Sequence, residues 1–392
     1  MLCVAGLKLL LTALVPASYD MRDMAAAIVY QQTNLGPWLT LEAYFFELWR
    51  LANQGNPNLG WWATPPTSMT MNIGFLLVLF RLPTFLADVA TTVLIYLAVS
   101  RFAAVREARL ATILWFLNPY ATLAIELVGV PDIVPALLTL VAAVSVQFRK
   151  SILAALSLAA AIAIKLYAIL LVPPLLLYSN EVGERARSRI MITAIAIAGL
   201  IGYWSWLFPD GNYSIKAFTD YSAVTQPMPA LFQWAPTTYI NAAIVALFAV
   251  YFGIWELAKG CSITDTMLPV LLAYLTFSNP YPQFFLWVLP LLTLDAVRTK
   301  NRIPLLVIFC VLILTAWFMT SGGFLTPSGY SLLSIRLEGS KLPWYSQSIQ
   351  SFLKSNLAIL VTPLVFSTLR GVTLIYTFEI ARGWFTPIRS AK

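Results

Sequence analysis

The chain has 392 residues, of which 59% are hydrophobic, only 11% are charged and none is histidine. A soluble protein carries about 25% charged residues, and a soluble fold could not keep this much apolar side chain from water. The composition excludes a disordered chain and a disulfide scaffold, and it predicts an all-α polytopic membrane protein. At about 20 residues for each span, we predict about 12 transmembrane helices in a single domain, 1–392.

The predicted spans follow the apolar runs, which basic or Pro/Gly-rich patches separate. In chain order they cover about 1–17, 84–100, 108–126, 132–148, 151–164, 167–180, 190–208, 238–257, 266–278, 283–297, 303–320 and 356–380. The first run has no basic leader and no small-residue cleavage site, so we interpret it as an anchor and not as a removable signal peptide.

The basic residues predict the orientation of these spans. Fifteen of the 25 Lys and Arg residues lie in connections on one side of the membrane: Arg101, Arg106, Arg109, Arg149, Lys150, Arg185, Arg187, Arg189, Lys259, Arg298, Lys300, Arg302, Arg382, Arg389 and Lys392. The opposite side has the long loops 18–83, 209–236 and 321–355, with few basic residues. Because cytoplasmic loops are enriched in Lys and Arg, we expect both termini in the cytoplasm and the long loops outside. The net charge of +8 then reflects topology, and we expect no nucleic-acid partner.

The first outer loop is expected to hold juxtamembrane helices. For the basic loops to stay on one side, the apolar stretch 67–80 must not cross the membrane. We therefore predict a separate helix there, lying in or against the outer leaflet. Two further helices of this kind are predicted at about 20–32 and 38–53.

An acidic cluster follows the first span. Without histidine, acid–base chemistry falls to carboxylates, Lys, Tyr or Cys, and the three cysteines have no spacing that predicts a disulfide or a metal site. Asp20 and Asp23 flank Arg22, and on a helix the two carboxylates would share a face. Such a pair can act as a general base or hold a divalent cation such as Mg²⁺ or Mn²⁺. Alternatively, the acids cap a helix N-terminus. No other cofactor is predicted.

Polar residues also stand at the outer ends of later spans. Asn118, Glu126 and Asp132 lie around a Pro- and Gly-containing break, where they can bind a substrate or simply form a turn and cap the next helix. Lys165 has apolar neighbours in the sequence, so it can bind a lipid phosphate or extend to the lipid headgroups. Tyr281 and Gln283 stand among aromatic residues that suit a sugar or, alternatively, an interfacial aromatic belt.

Taken in order, these motifs resemble those of the GT-C glycosyltransferases. The matching stretches are Ser18–Asp23, Thr64-Pro65-Pro66, Arg81-Leu82-Pro83 with Leu86-Ala87-Asp88, Trp115–Pro119 with Gly129 and Asp132, Lys165-Leu166-Tyr167, and Tyr281–Trp287. Together they cover about 1–300, and the last two look most like the first mannosyltransferase of GPI-anchor synthesis and its archaeal and bacterial relatives. The acidic motif reads D-x-x-D where that enzyme has D-x-D, which leaves open which carboxylate is the base and whether a metal takes part.

The resemblance implies a GT-C fold and an inverting hexosyltransferase. Its expected donor is a polyprenyl or dolichyl phosphate sugar, with mannose as the expected sugar and glucose, arabinose or a hexosamine as alternatives. The acceptor would be a lipid-linked glycan, a glycolipid or a protein on the extracytoplasmic face. The enzyme would lie among the lipids of the plasma membrane in a prokaryote, or of the endoplasmic reticulum in a eukaryote.

The resemblance also implies a role for each candidate residue. Asp20 would be the base and Asp23 would position the acceptor or an ion. The donor phosphate would be bound by Lys165, Arg81 and Arg336, and the other substrate contacts would come from Arg22, Asp88, Asn118, Glu126, Asp132, Tyr281 and Gln283.

Two functions from other classes remain open. One is a non-catalytic accessory subunit, like the GPI-transamidase subunit related to that mannosyltransferase. The other is a lipid or sugar transporter, although the sequence has no inverted repeat with paired broken helices.

Overall fold

The computed structural model describes residues 2–14, 71–181, 192–193, 195–200, 232–235, 238–240, 242–257, 261–277, 282–320 and 356–385. Within them, helices α1 to α12 are Leu2–Leu14, Met71–Ser100, Val105–Phe116, Pro119–Thr122, Ile133–Gln147, Ser151–Ile164, Val172–Glu181, Ala242–Leu257, Ile263–Phe277, Leu289–Arg298, Ile303–Thr320 and Asn356–Phe385. A π-helix covers Leu123–Val128, and 3₁₀ helices cover Leu166–Leu171, Pro282–Trp287 and Lys300–Arg302. Residues 192–193 and 195–200 are also helical.

One short hairpin departs from the all-α prediction. Strands β1 (Phe232–Ala235) and β2 (Thr238–Ile240) pair antiparallel, with Phe232 opposite Ile240. Aromatic and β-branched residues favour strands, which explains why this short stretch is not helical. As a result α8 begins at Ala242 and not at the predicted 238.

Three helical segments of the described chain are long and apolar enough to cross a membrane: Arg81–Ser100, Lys300–Trp317 and Pro363–Trp384. Shorter apolar helices, such as Ile133–Gln147 and Ser151–Ile164, accompany them. The described residues therefore form a helical membrane protein, while the full number of spans remains a prediction.

Helix α2 corrects the prediction for the end of the first outer loop. Residues 71–80 are not a separate helix against the leaflet, because they continue directly into the predicted span as one helix of 30 residues. At 1.5 Å for each residue that helix is about 45 Å long, more than the membrane core of about 30 Å. Pro83 lies inside it without ending it, as membrane helices tolerate, and the Thr84 hydroxyl donates to the Arg81 carbonyl at 2.8 Å.

The predicted span 108–126 is not one helix either. Helix α3 ends at Phe116, and Asn118 caps α4 because its side chain accepts the backbone N–H groups of Tyr120 and Ala121 at 3.0 and 3.2 Å. The π-helix that follows ends at Val128, and Gly129 caps it with a φ of 77° that suits glycine. This interruption directs the chain from α3 into α5 through a compact polar turn.

Close helix packing involves Gly199, in the helical stretch 195–200. A Cβ atom at this position would lie 2.6 Å from the carbonyl oxygen of Ala159 in α6. The two backbones therefore touch, and no side chain fits between them without a shift.

We predict that Gly199→Ala lowers the free energy of unfolding by about 1–3 kcal/mol, the usual effect of overpacking. The matched control is Gly371→Ala in α12, where nothing lies within 4 Å of the added Cβ. The control should be neutral or stabilising, since Ala is the better helix former. The temperature at which the monodisperse gel-filtration peak is lost measures the stability of both variants. Equal losses of stability in the two variants would contradict the close contact.

Candidate functional site

Asp132 and Lys165 meet at one end of a helical hairpin. Asp132 stands just before α5 and Lys165 just after α6, and these two helices pack together through a short connection. The Lys165 Nζ atom lies 2.7 Å from Asp132 Oδ1. The Trp287 indole donates to the same oxygen at 2.5 Å. A carboxylate therefore joins two motif segments that are far apart in the sequence.

Aromatic rings surround this ion pair. Tyr167 stacks on Trp287 with 3.8 Å between ring centroids, and Phe284 stacks on its ring at 4.5 Å. The Lys165 Nζ atom lies 5.0 Å from the Phe284 centroid. We call Asp132, Lys165, Tyr167, Phe284 and Trp287 the Asp132 cluster. The Lys165 side chain is 25% exposed and that of Asp132 only 1%, so the cation reaches the surface while its counter-ion does not.

Neighbouring motif residues position the cluster. The Tyr120 hydroxyl donates to the Pro282 carbonyl at 2.7 Å and so fixes the 3₁₀ helix that carries Trp287. Asn118 donates to Cys310 Sγ at 3.1 Å, besides capping α4. Gln283 is half-buried beside them. Asn118 therefore organises the backbone beside the cluster, and its expected contact with a substrate remains a prediction.

A second group of charges is buried where α1 meets α2 and the π-helix. The Lys8 Nζ atom lies 2.8 Å from Asp88 Oδ2 and 3.2 Å from Glu126 Oε1. The Trp115 indole donates to the other Asp88 oxygen at 2.8 Å. With Arg81, these residues form what we call the Lys8 network. An ionisable residue inside an apolar helix is a functional signal, and by this signal the sequence could have indicated Lys8.

Arg81 lies in helix α2 and not in the predicted outer loop 18–83, whereas Asp88 lies within the predicted span 84–100. Arg81 is fully buried inside α2, where the Glu126 carboxylate interacts with it. Its expected contact with the donor phosphate remains a prediction. Asp88 accepts hydrogen bonds from Lys8 and Trp115, and its expected contact with a substrate remains a prediction. The two residues are seven positions apart, so they share one face of the continuous helix.

A third group of charged residues lies at the C-terminal end of α10. Asp295 is buried and accepts hydrogen bonds from Arg298, Arg302 and the Tyr376 hydroxyl, each at 2.9 Å. Asp265 also pairs with Arg298. These five residues, the Asp295 cluster, hold α9, α10 and α12 together.

Five candidate residues lie outside the described part of the chain: Asp20, Arg22, Asp23, Tyr281 and Arg336. The proposed base and the divalent-cation pair therefore remain predictions. Within the described ranges, no three metal-ligating side chains are grouped around one point.

No protein-family model matches the chain, and no curated protein matches it. The likeness to GT-C enzymes therefore rests on the motifs in this sequence.

Proposed function

We propose that this chain is an integral-membrane glycosyltransferase of the GT-C type. It would move a hexose, with mannose as the expected sugar, from a polyprenyl phosphate carrier to a glycan, lipid or protein acceptor outside the cytoplasm. The observation that supports this most directly is the Asp132 cluster. Three motif segments meet there, and they combine a partly exposed cation with stacked aromatic rings.

Lys165 is proposed to bind the phosphate of the donor. An ammonium group has three N–H donors, so the hydrogen bond to Asp132 leaves donors for phosphate oxygens. A positive charge at that point stabilises the phosphate as it leaves. The aromatic rings offer apolar surface for the sugar or the isoprenoid chain, and Asp132 is a positioning residue that orients the lysine.

Asp20 is proposed as the base. It would remove the proton of the acceptor hydroxyl while that oxygen attacks the anomeric carbon of the sugar. The bond from this carbon to the phosphate oxygen breaks, the phosphate leaves with the electron pair, and the configuration inverts. Asp23 would position the acceptor or a divalent cation.

We further propose about 12 spans, with both termini in the cytoplasm. Contacts between described residues support the grouping of the basic loops at one end: Arg101 lies over the Phe148 ring, and Lys300 pairs with Glu107. The large apolar side chains of Phe252 and Phe378 are 69% and 72% exposed. A lipid environment would cover these surfaces.

Transfer assays with the purified full chain in nanodiscs test this function. A panel of radiolabelled polyprenyl-phosphate sugars is offered with glycolipid acceptors, and transfer from one of them is expected. Asp20→Asn should lower turnover by about 10²–10⁴-fold, the usual contribution of a general base, with donor binding retained. Lys165→Met should raise the KM for the donor, whereas Lys300→Met, at the other end of the bundle, should not.

Other outcomes would overturn the proposal. Uptake of sugar or lipid by proteoliposomes, without transfer from any donor, would indicate a transporter. Activity of a larger complex that survives Asp20→Asn would indicate an accessory subunit. If the parent chain transfers sugar and the Asp20→Asn variant turns over at the same rate, Asp20 is not the base, and Asp23 or Asp132 would be the next candidate.

A further inference from the structure

Two loops at one end of the bundle bring basic side chains together. One loop joins α2 to α3 and continues into the first turns of α3, and the other joins α5 to α6. Their exposed basic residues, the basic patch, are Arg101, Arg106, Arg109, Arg149 and Lys150. The Arg101 guanidinium lies 5.3 Å from the centroid of the Phe148 ring, which shows that the two loops touch.

Within the described residues, no acidic side chain lies within ion-pair distance of the patch. The neighbouring basic run differs in this respect. Arg298 pairs with Asp265, Lys300 with Glu107 and Arg302 with Asp295. Positive-inside topology explains basic residues on this side in general. It does not explain why the ion pairs of the described chain fall on the neighbouring run, whereas the five patch residues have only the weaker attraction between Arg106 and the adjacent Glu107, which itself pairs with Lys300.

Exposed apolar side chains border the patch. Phe102 and Phe148 are 48% and 39% exposed, and Val105 and Ile152 are exposed beside them. The first loop directly follows Arg81–Ser100, a helix that can cross a membrane. Aromatic rings next to basic side chains at a helix end are typical of the headgroup region. This neighbourhood favours a lipid over a nucleic acid or a soluble acidic protein.

Arg149 also occupies an unusual backbone position. Its φ is 57°, a left-handed conformation that glycine or asparagine normally takes at a helix end. Lys150 closes the turn with a hydrogen bond from its N–H to the Ser145 carbonyl at 2.8 Å. The chain thus has an arginine at a left-handed backbone position where glycine would be less strained.

We propose that the basic patch binds the headgroups of anionic phospholipids. The guanidinium and ammonium groups would bind the phosphate, and the exposed aromatic and aliphatic side chains would contact the start of the acyl chains. Each basic residue at an anionic surface is expected to contribute roughly fivefold to affinity. This binding does not depend on the proposed sugar transfer, since the patch lies at the opposite end of α5 from Asp132.

Native mass spectrometry of the full chain, titrated with phosphatidylglycerol or phosphatidylcholine, tests the proposal. The parent should prefer phosphatidylglycerol. The variant Arg106→Gln/Arg109→Gln/Arg149→Gln/Lys150→Gln should lose more than tenfold in affinity for it, with phosphatidylcholine binding unchanged. Arg101 is kept because it packs on Phe148. Glycerol 3-phosphate should not displace the lipid, because it lacks the acyl chains.

The charge-preserving variant Arg106→Lys/Arg109→Lys/Arg149→Lys is the matched control, and it should keep the preference for phosphatidylglycerol. Lys300→Gln, which removes a charge that already has a partner, should keep it too. The proposal is overturned if the glutamine variant binds phosphatidylglycerol as the parent does, if both lipids are lost equally, or if a polyglutamate peptide displaces the lipid.

Discussion

Lys8→Met should lower the free energy of unfolding by about 3–5 kcal/mol, the usual effect of removing one partner of a buried ion pair. Lys8 is almost fully buried and lies 2.8 Å from Asp88, which is fully buried. Without the lysine, the Asp88 carboxylate keeps the Trp115 indole but loses its cation. Thermal unfolding of the detergent-purified chain, followed by gel filtration, measures the loss.

The matched double variant Lys8→Met/Asp88→Asn separates this electrostatic effect from a loss of packing. It removes both charges of the Lys8–Asp88 pair, while Glu126, the second partner of Lys8, still has Arg81 as a neighbouring cation. Replacement of both members of a buried pair is often neutral or stabilising. Asparagine still offers an oxygen to the Trp115 indole. The double variant should therefore regain most of the lost stability, and a double variant as unstable as Lys8→Met would contradict the ion-pair explanation.

The substitution Lys8→Met should also affect sugar transfer. Lys8 ties α1 to α2 and to the π-helix, and Asp20 follows the last residue of α1, Leu14, after only a short stretch of chain. A loosened α1 would displace the proposed base. On the proposed function, Lys8→Met should therefore also lower turnover, and the double variant should restore it together with stability.

Asp295→Asn is the second change with a large expected effect, again about 3–5 kcal/mol. The buried carboxylate neutralises Arg298 and Arg302 and accepts the Tyr376 hydroxyl. Asparagine keeps the shape but leaves two guanidinium groups with less negative charge between α10 and α12. The thermal midpoint of the purified chain measures the effect.

Asp265→Asn is the control for that prediction. Asp265 also binds Arg298, but its side chain is 18% exposed and that of Asp295 is 0% exposed. After this change Arg298 retains Asp295 as its partner, so the loss of stability should be clearly smaller. Equal losses for the two variants would show that burial does not determine the cost.

The sequence predicts helices well where charges border them. The helix Ser151–Ile164 was predicted to the residue, because Lys150 and Lys165 stand at its two ends. The helix Ile303–Thr320 was predicted equally well. The prediction of a separate helix at 67–80 was wrong for residues 71–80, because it rested on the side of the membrane to which the basic loops were assigned. In the structure Pro83 does not interrupt the helix that joins the two apolar stretches. A proline marks an end only where the freed backbone groups are not satisfied by neighbouring structure.

Two residues of the Asp132 cluster, Asp132 and Lys165, were named as candidates from the sequence, but their pairing was not predicted. Asp132 and Lys165 each carried a chemical signal, yet they are 33 positions apart, and no local pattern connects them. Trp287 joins them from 155 positions away. The sequence also presented Lys165 as a cation without an acidic neighbour, whereas the fold provides one. Periodicity reports which face a residue occupies, but the partner depends on how distant helices pack.

The counter-ion of Lys165 has a consequence for turnover on the proposed reaction. The donor is a phosphate diester with one negative charge, and the spent carrier is a monoester that carries about −1.5 to −2 charges at neutral pH. A lysine without a counter-ion would therefore retain the product more strongly than the substrate. The nearby Asp132 carboxylate repels both phosphates, and it repels the more negative monoester more strongly than the diester. Asp132 would thus limit product inhibition and let the empty carrier leave.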